Sequence, residues 1–238
     1  MQWLSVDPMS DERPWISPYN YCQWNPIGRV DPWGMLDEIV IKGMDGTKTT
    51  YVPGMSSEGY DEFTAQVINN YNTAYSGSAT AREDIDNLVN AEGTYEVVKS
   101  NDSRFLRATV NGKKSGLIRY NPEGGEVPVQ ENANSLMSIL EKSPIASLIH
   151  ETIHASRYEQ GIDIQDGSKT RGTLNEEIAT MHRENMFRGE MGYKIRTYHE
   201  IEGQQGSGYP MLRFHSSETG IISNYLWQNN RHQIYKYK

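Results

Sequence analysis

The spacing of apolar residues changes period along the chain. Phe63, Val67, Ile68, Tyr71 and Tyr75 recur at helical intervals, which predicts an amphipathic helix over 60–75, and a second is expected over 80–90. The period then falls to two. Residues 95–99, 105–110 and 116–120 read as strands, with Asn111-Gly112 as the turn between the last two. Pro122-Glu123-Gly124-Gly125 closes that stretch. A short helix is expected over 133–140, a long one over 144–160 and another over about 174–188, followed by a mixed C-terminal region. Ahead of the helices, 37–42 alternates and 48–52 follows an Asp45-Gly46 turn, a pattern read as a linker hairpin over 36–58. Helix, small sheet and then two helices give an α+β fold.

Residues 3–34 do not follow these patterns. They hold five of the 10 prolines and four of the five tryptophans, with Asp7-Pro8, Asn25-Pro26 and Asp31-Pro32 as turn starters. Such a segment suits short strands packed against something larger, not a free-standing domain.

Length and composition narrow the classes. At 238 residues and 36% hydrophobic, the chain can bury one core with a small appendage. No run of apolar residues reaches the roughly 18 needed for a membrane span. The first ten residues have neither a basic nor an apolar signal region, so no signal peptide is expected there. The lone Cys22 excludes an internal disulfide framework, and a net charge of -8 argues against nucleic-acid binding.

The N-terminal residues carry a resemblance. SPYNYCQWNPIGRVDPWG is similar to the closing stretch of the RHS-repeat core of bacterial polymorphic toxins, which ends in paired DPxG-type motifs before a variable toxin cassette. The second motif is intact at Asp31-Pro32-Trp33-Gly34, whereas the first reads Asp7-Pro8-Met9-Ser10. The resemblance implies an RHS-core end over 1–35, a missing RHS cage as partner, and self-cleavage after Gly34.

The chemistry concentrates at His150-Glu151-Thr152-Ile153-His154, an HExxH motif. Ser143 is placed to cap the surrounding helix, Pro144 to occupy its first position and Gly161 to end it. Histidines four apart project from one face and can share one cation, with zinc the natural choice. Glu151, between them, can reach a water on that ion as a general base.

A third ligand is required. The extended HExxHxxGxxH pattern fails, because its last two positions hold Arg157 and Gln160. The following helix offers Glu177, between Leu174 and Met181 at its apolar edge, with Glu176, His182 and Asp163 as alternatives. Thr173 and Glu176 have capping-box spacing, so Glu176 is expected at the helix start. His199, His215 and His232 have no motif around them and are expected to carry no chemistry.

LIHETIHA, NEEIATMHRENMFRGEMG and KIRTY together resemble the NleD-like effector metallopeptidases, zincins of gluzincin type. The resemblance implies a zincin-like metallopeptidase over 59–238 with His150, His154 and Glu177 as zinc ligands. It aligns Glu184-Asn185, Arg188 and Arg196-Thr197-Tyr198 with the family pattern. Tyr198 is then a candidate oxyanion donor and Arg188 and Arg196 candidate orienting groups. Residues 116–122 would be the strand beside the metal on which substrate adds. The implied protein is an exported toxin, delivered as the end of a larger polypeptide, that cleaves a target-cell protein and is neutralised by a cognate immunity protein. No membrane partner is expected. Two other readings stay open: a non-catalytic module stabilised by zinc, and a metal-dependent amidase acting on peptidoglycan.

Overall fold

The computed structural model describes residues 38–130, 139–170 and 173–196, and beyond them only the backbone of short strands between 200 and 237. The RHS-like segment 1–35 lies outside the described residues. So do 133–138 of the expected short helix, Tyr198 and His199, and His215; of His232 only the backbone is described.

The elements run β1 (Ile39–Lys42), β2 (Lys48–Thr50), α1 (Glu62–Gly77), α2 (Ala79–Val89), β3 (Tyr95–Lys99), β4 (Arg104–Val110) and β5 (Lys113–Tyr120). They continue as β6 (Glu126–Gln130), β7 (Ile139–Lys142), α3 (Pro144–Gln160), β8 (Lys169–Thr170), β9 (Thr173–Leu174), α4 (Asn175–Glu190) and β10 (Ile195–Arg196). The fold is α+β. The main sheet has the order β2-β1-β3-β5-β4, and β6 pairs with β7 and β10 in a smaller one.

Chain connections explain the strand directions. Between β1 and β3 the chain passes through two helices, and β1, β3 and β5 run parallel. β4 and β5 are joined by a two-residue turn in which Asn111 has φ 52° and Gly112 φ 79°, the left-handed pair that an antiparallel hairpin needs. Because β5 returns next to β3, β4 is left at the sheet edge.

One face of the sheet makes the core. Ile39, Ile41, Tyr95, Val97, Ile118 and Tyr120 are fully buried and share a cluster with Val67, Ile68 and Tyr71 of α1, Ile85 and Leu88 of α2, and Leu148, Ile149 and Ile153 of α3. At about 25 cal/mol per Å² of apolar area, this cluster supplies the main drive for folding. Among the described residues no helix is long and apolar enough to cross a membrane.

Most of the expected elements form within two residues of their expected ends. Three readings change. Within the 36–58 segment β1 and β2 form a hairpin, but β1 also pairs with β3 and buries Ile39 and Ile41, so the hairpin is built into the sheet and is not a connector. The end of the expected 133–140 helix is instead strand: residues 139–142 pair with β6. Finally, β5 is enclosed by β3 and β4, leaving no free edge for a further strand; among the described residues β4, next to it, is the strand with an open edge.

Candidate metal centre

Helix α3 is set by its ends and its apolar stripe. The Ser143 side chain accepts from the Ala146 amide at 3.3 Å, Pro144 starts the helix, and Gly161 stops it in the left-handed region at φ 69°. Burial of Leu148, Ile149 and Ile153, and a bond between the Thr152 and Tyr71 hydroxyls at 3.0 Å, fix its rotation. His150, Glu151 and His154 then line a cavity of about 620 Å³. Its other walls include β4, the loop after α3, and α4.

Helix α4 brings Glu177 to both histidines. His150 Nε2 lies 3.4 Å from Glu177 Oε2, and His154 Nε2 lies 3.4 Å from Glu177 Oε1. One donor atom from each residue falls within 4.8 Å of the others. The two imidazole side chains are each 11% exposed, so solvent screens the cluster poorly.

The outward nitrogens are also engaged. His150 Nδ1 meets Glu184 Oε2 at 2.9 Å. His154 Nδ1 meets the Thr180 hydroxyl at 3.1 Å and Glu176 Oε1 at 3.5 Å. A proton on Nδ1 facing a carboxylate leaves Nε2 with a lone pair, and that lone pair points at another carboxylate. Two acceptors at 3.4 Å call for a cation between them, which is the donor arrangement of a metal site braced by outer carboxylates. His–His–Glu suits a first-row divalent ion, and zinc in particular.

Without an ion, proton uptake has to supply that charge. Burial would lower both imidazoles, but the surrounding carboxylates reverse this: His150 is raised, and Glu177 with Glu176 brings His154 to about 10.

Glu184 is a buried hub. Arg188 Nε donates to Oε1 at 2.6 Å and Arg196 Nη1 to Oε2 at 2.9 Å. Burial alone would push its carboxyl up, yet Arg196 and Arg188 hold it well below the usual carboxylate range. Asn185 grips the backbone of Arg196 in both directions, at 2.8 and 2.9 Å, which positions that guanidinium. Arg188 also reaches Glu141 and the Lys194 carbonyl.

Glu176 takes the corresponding place behind His154. Arg157 grips it through Nε at 2.8 Å and Nη2 at 3.1 Å, and the Ile164 amide donates to it at 2.7 Å. Burial opposes ionisation, but His154 and Arg157 outweigh it and hold the carboxyl at about 2. The expected capping box is therefore absent. Leu174, which has no polar side-chain atom, is the N-cap of α4 in place of Thr173, and the Glu176 carboxylate is taken by Arg157.

The structure thus brings together His150, Glu151, His154 and Glu177. His182 does not join them; it is fully buried on α4, where burial pushes its imidazole down to about 3 and keeps it neutral. Asp163 pairs with Arg107 instead. Arg188 and Arg196 serve Glu184. Sequence reasoning passed over Arg157, Thr180, Arg107 and the role of Asp163. Arg157 carried a signal, since it stands one turn beyond His154 on the same helix face.

Comparison with protein-family models, with curated proteins and with solved structures finds no match for this chain.

Proposed function

We propose that the chain is a zinc-dependent endopeptidase of the zincin kind, and that it acts as an effector or toxin domain on a protein of a target cell. The observation that carries this reading is the convergence of His150, His154 and Glu177 beside Glu151 in a cavity walled by the open edge strand β4.

His150, His154 and Glu177 would hold the ion. When bound, the ion supplies Lewis acidity for a water and for the scissile carbonyl. Glu151 lines the same cavity and belongs to no ligand cluster, which suits a general base that takes the water's proton and returns it to the departing amine. Glu184 and Glu176 hold the two imidazoles in the tautomer whose Nε2 is a ligand. Among the described residues no strand pairs with the outer edge of β4, and that edge would take an extended polypeptide across the mouth of the cavity as a sixth strand. Tyr198 remains the proposed oxyanion donor on the strength of the family resemblance alone.

Among the described residues the cluster has three donors, which leaves coordination positions for water and substrate, and this favours catalysis over a structural zinc. The delivery route, the RHS cage and a cognate immunity protein follow from the resemblance and belong to the same proposal.

The test joins metal content with product mapping. Mass spectrometry of the purified protein should find about one zinc per chain, reduced in His154→Ala. Sequencing of new N-termini in a target-cell lysate should find cleavage by the zinc-loaded protein and none by Glu151→Gln. Zinc binding without any cleavage would leave a binding module. Activity on peptidoglycan alone would make the protein an amidase.

A further inference from the structure

Arg107 lies at the centre of β4 and lines the cavity that holds His150, His154 and Glu177. Side chains along a strand alternate between faces. Phe105 stacks near Tyr95 and Tyr158, and Thr109 reaches the Tyr158 hydroxyl, so Arg107 falls on the same, α3-facing side. Its side chain is 42% exposed, whereas that of Asp163 beside it is 3% exposed. Arg107 Nε approaches Asp163 Oδ2 at 2.8 Å, an ion pair without hydrogen-bond alignment. Neither Nη group of Arg107 meets an acceptor among the described residues.

A guanidinium is a planar fork of five donors that stays charged at any physiological pH. Here Asp163 occupies one edge, and the Nη edge is left for a ligand. Several of the other cavity charges are matched internally: Arg188 and Arg196 by Glu184, and Glu176 by Arg157. The lining holds four arginines, Arg104 being the last, and four glutamates, so a divalent ion on the His–His–Glu donors turns it positive. An anionic ligand group is then favoured over a neutral one.

We infer that Arg107 is the specificity-determining residue of the cavity and that it binds a carboxylate of the polypeptide substrate. This rests on the metallopeptidase reading. The two oxygens of a carboxylate match the paired Nη donors. They can come from an aspartate or glutamate side chain, or from the C-terminus of the substrate.

The test uses zinc-loaded Glu151→Gln protein, so binding is read without turnover. The probes are N-acetylated, C-terminally amidated Gly-Gln peptides in which one glutamate is walked along the sequence, with binding read by isothermal titration. The peptide without glutamate is the neutral control, and the same peptide with a free C-terminus is the third probe. Arg107→Lys and Arg107→Gln are made in the same background; lysine keeps a charge beside Asp163 and loses the fork. Glutamate at one position should tighten binding by about 10-fold or more over the neutral control. Arg107→Gln should abolish that advantage and Arg107→Lys should reduce it through loss of the fork, with circular dichroism and zinc content unchanged in Arg107→Lys. Tightening by the free C-terminus alone, lost in Arg107→Gln, supports the inference and assigns the carboxylate to the chain end. Equal binding of glutamate and neutral peptides overturns it and leaves the peptidase reading standing. Binding of no peptide at all overturns both.

Discussion

His150 and Glu184 are 34 positions apart and meet at 2.9 Å, imidazole Nδ1 to carboxylate Oε2, with two arginines holding the carboxylate from behind. The contact decides which nitrogen of His150 faces Glu177. Glu184→Ala should therefore act on both metal and fold. Metal affinity should drop about 10- to 100-fold, as for other outer-shell partners of ligating histidines. Loss of the buried carboxylate that accepts from both guanidinium groups should cost about 3–5 kcal/mol of stability. Competition with a chromophoric chelator and urea unfolding measure the two effects. Unchanged metal affinity in a folded variant would remove Glu184 from the centre.

Glu176 and Glu177 are neighbours on α4 with different duties. Glu177→Ala deletes a proposed ligand and should abolish tight zinc binding. Glu176→Ala removes a partner of His154 Nδ1 and strands Arg157, so zinc affinity should fall about 10-fold while the melting temperature also falls. Isothermal titration with zinc separates the two. Equal losses of affinity, or the reverse ranking, would show that the ligand has been misassigned.

Glu151→Gln preserves shape and removes the proposed base. Zinc content should match wild type, and cleavage of the mapped substrate should drop by about 10²- to 10⁴-fold. Wild-type turnover in this variant would assign the proton transfer to another group.

The metal-free and zinc-loaded forms should respond to pH in opposite senses. The folded-state value of His154 is raised, from 6.5 to about 10, so its contribution to the metal-free fold is complete below pH 6.5 and is lost as pH climbs towards 10. Glu176 is depressed, from 4.5 to about 2, so its contribution is present above pH 4.5 and is lost as pH falls towards 2. The metal-free protein should be most stable between these windows. Zinc displaces protons from the imidazoles, so its apparent affinity should rise by up to about 10-fold per pH unit for each proton displaced. Differential scanning calorimetry at pH 6 and pH 8.5 should show a larger zinc-induced rise in melting temperature at the higher pH. A rise that shrinks with pH contradicts the assignment of neutral imidazole ligands.

The candidate metal-binding cluster was open to sequence reading because the spacing of its residues is local. HExxH lies within one helix whose cap, proline and terminal glycine are all nearby, and Glu177 sits where the apolar pattern of α4 turns inward. The partners of those residues were not. Glu184 reaches His150, and Arg157 reaches Glu176, across two helices whose packing no periodicity records. The same gap misdirected the capping-box reading, since a local Thr173–Glu176 pairing competes with a buried bidentate arginine and loses. Strand order was hidden for a related reason. Alternation identifies β4 and β5 as strands but does not say which lies outside, although two arginines among the seven residues of β4 were a sign of an edge.

An open edge beside the cavity of the candidate metal centre is also exposed to other copies of itself. Unpaired strands of identical molecules can zip together, and here such pairing would cover the cavity and inactivate both partners. In the centred antiparallel register, Arg107 would face its own counterpart, setting two cations against each other where a substrate would offer a carboxylate. The side chain that selects the ligand thus also keeps the edge available for it.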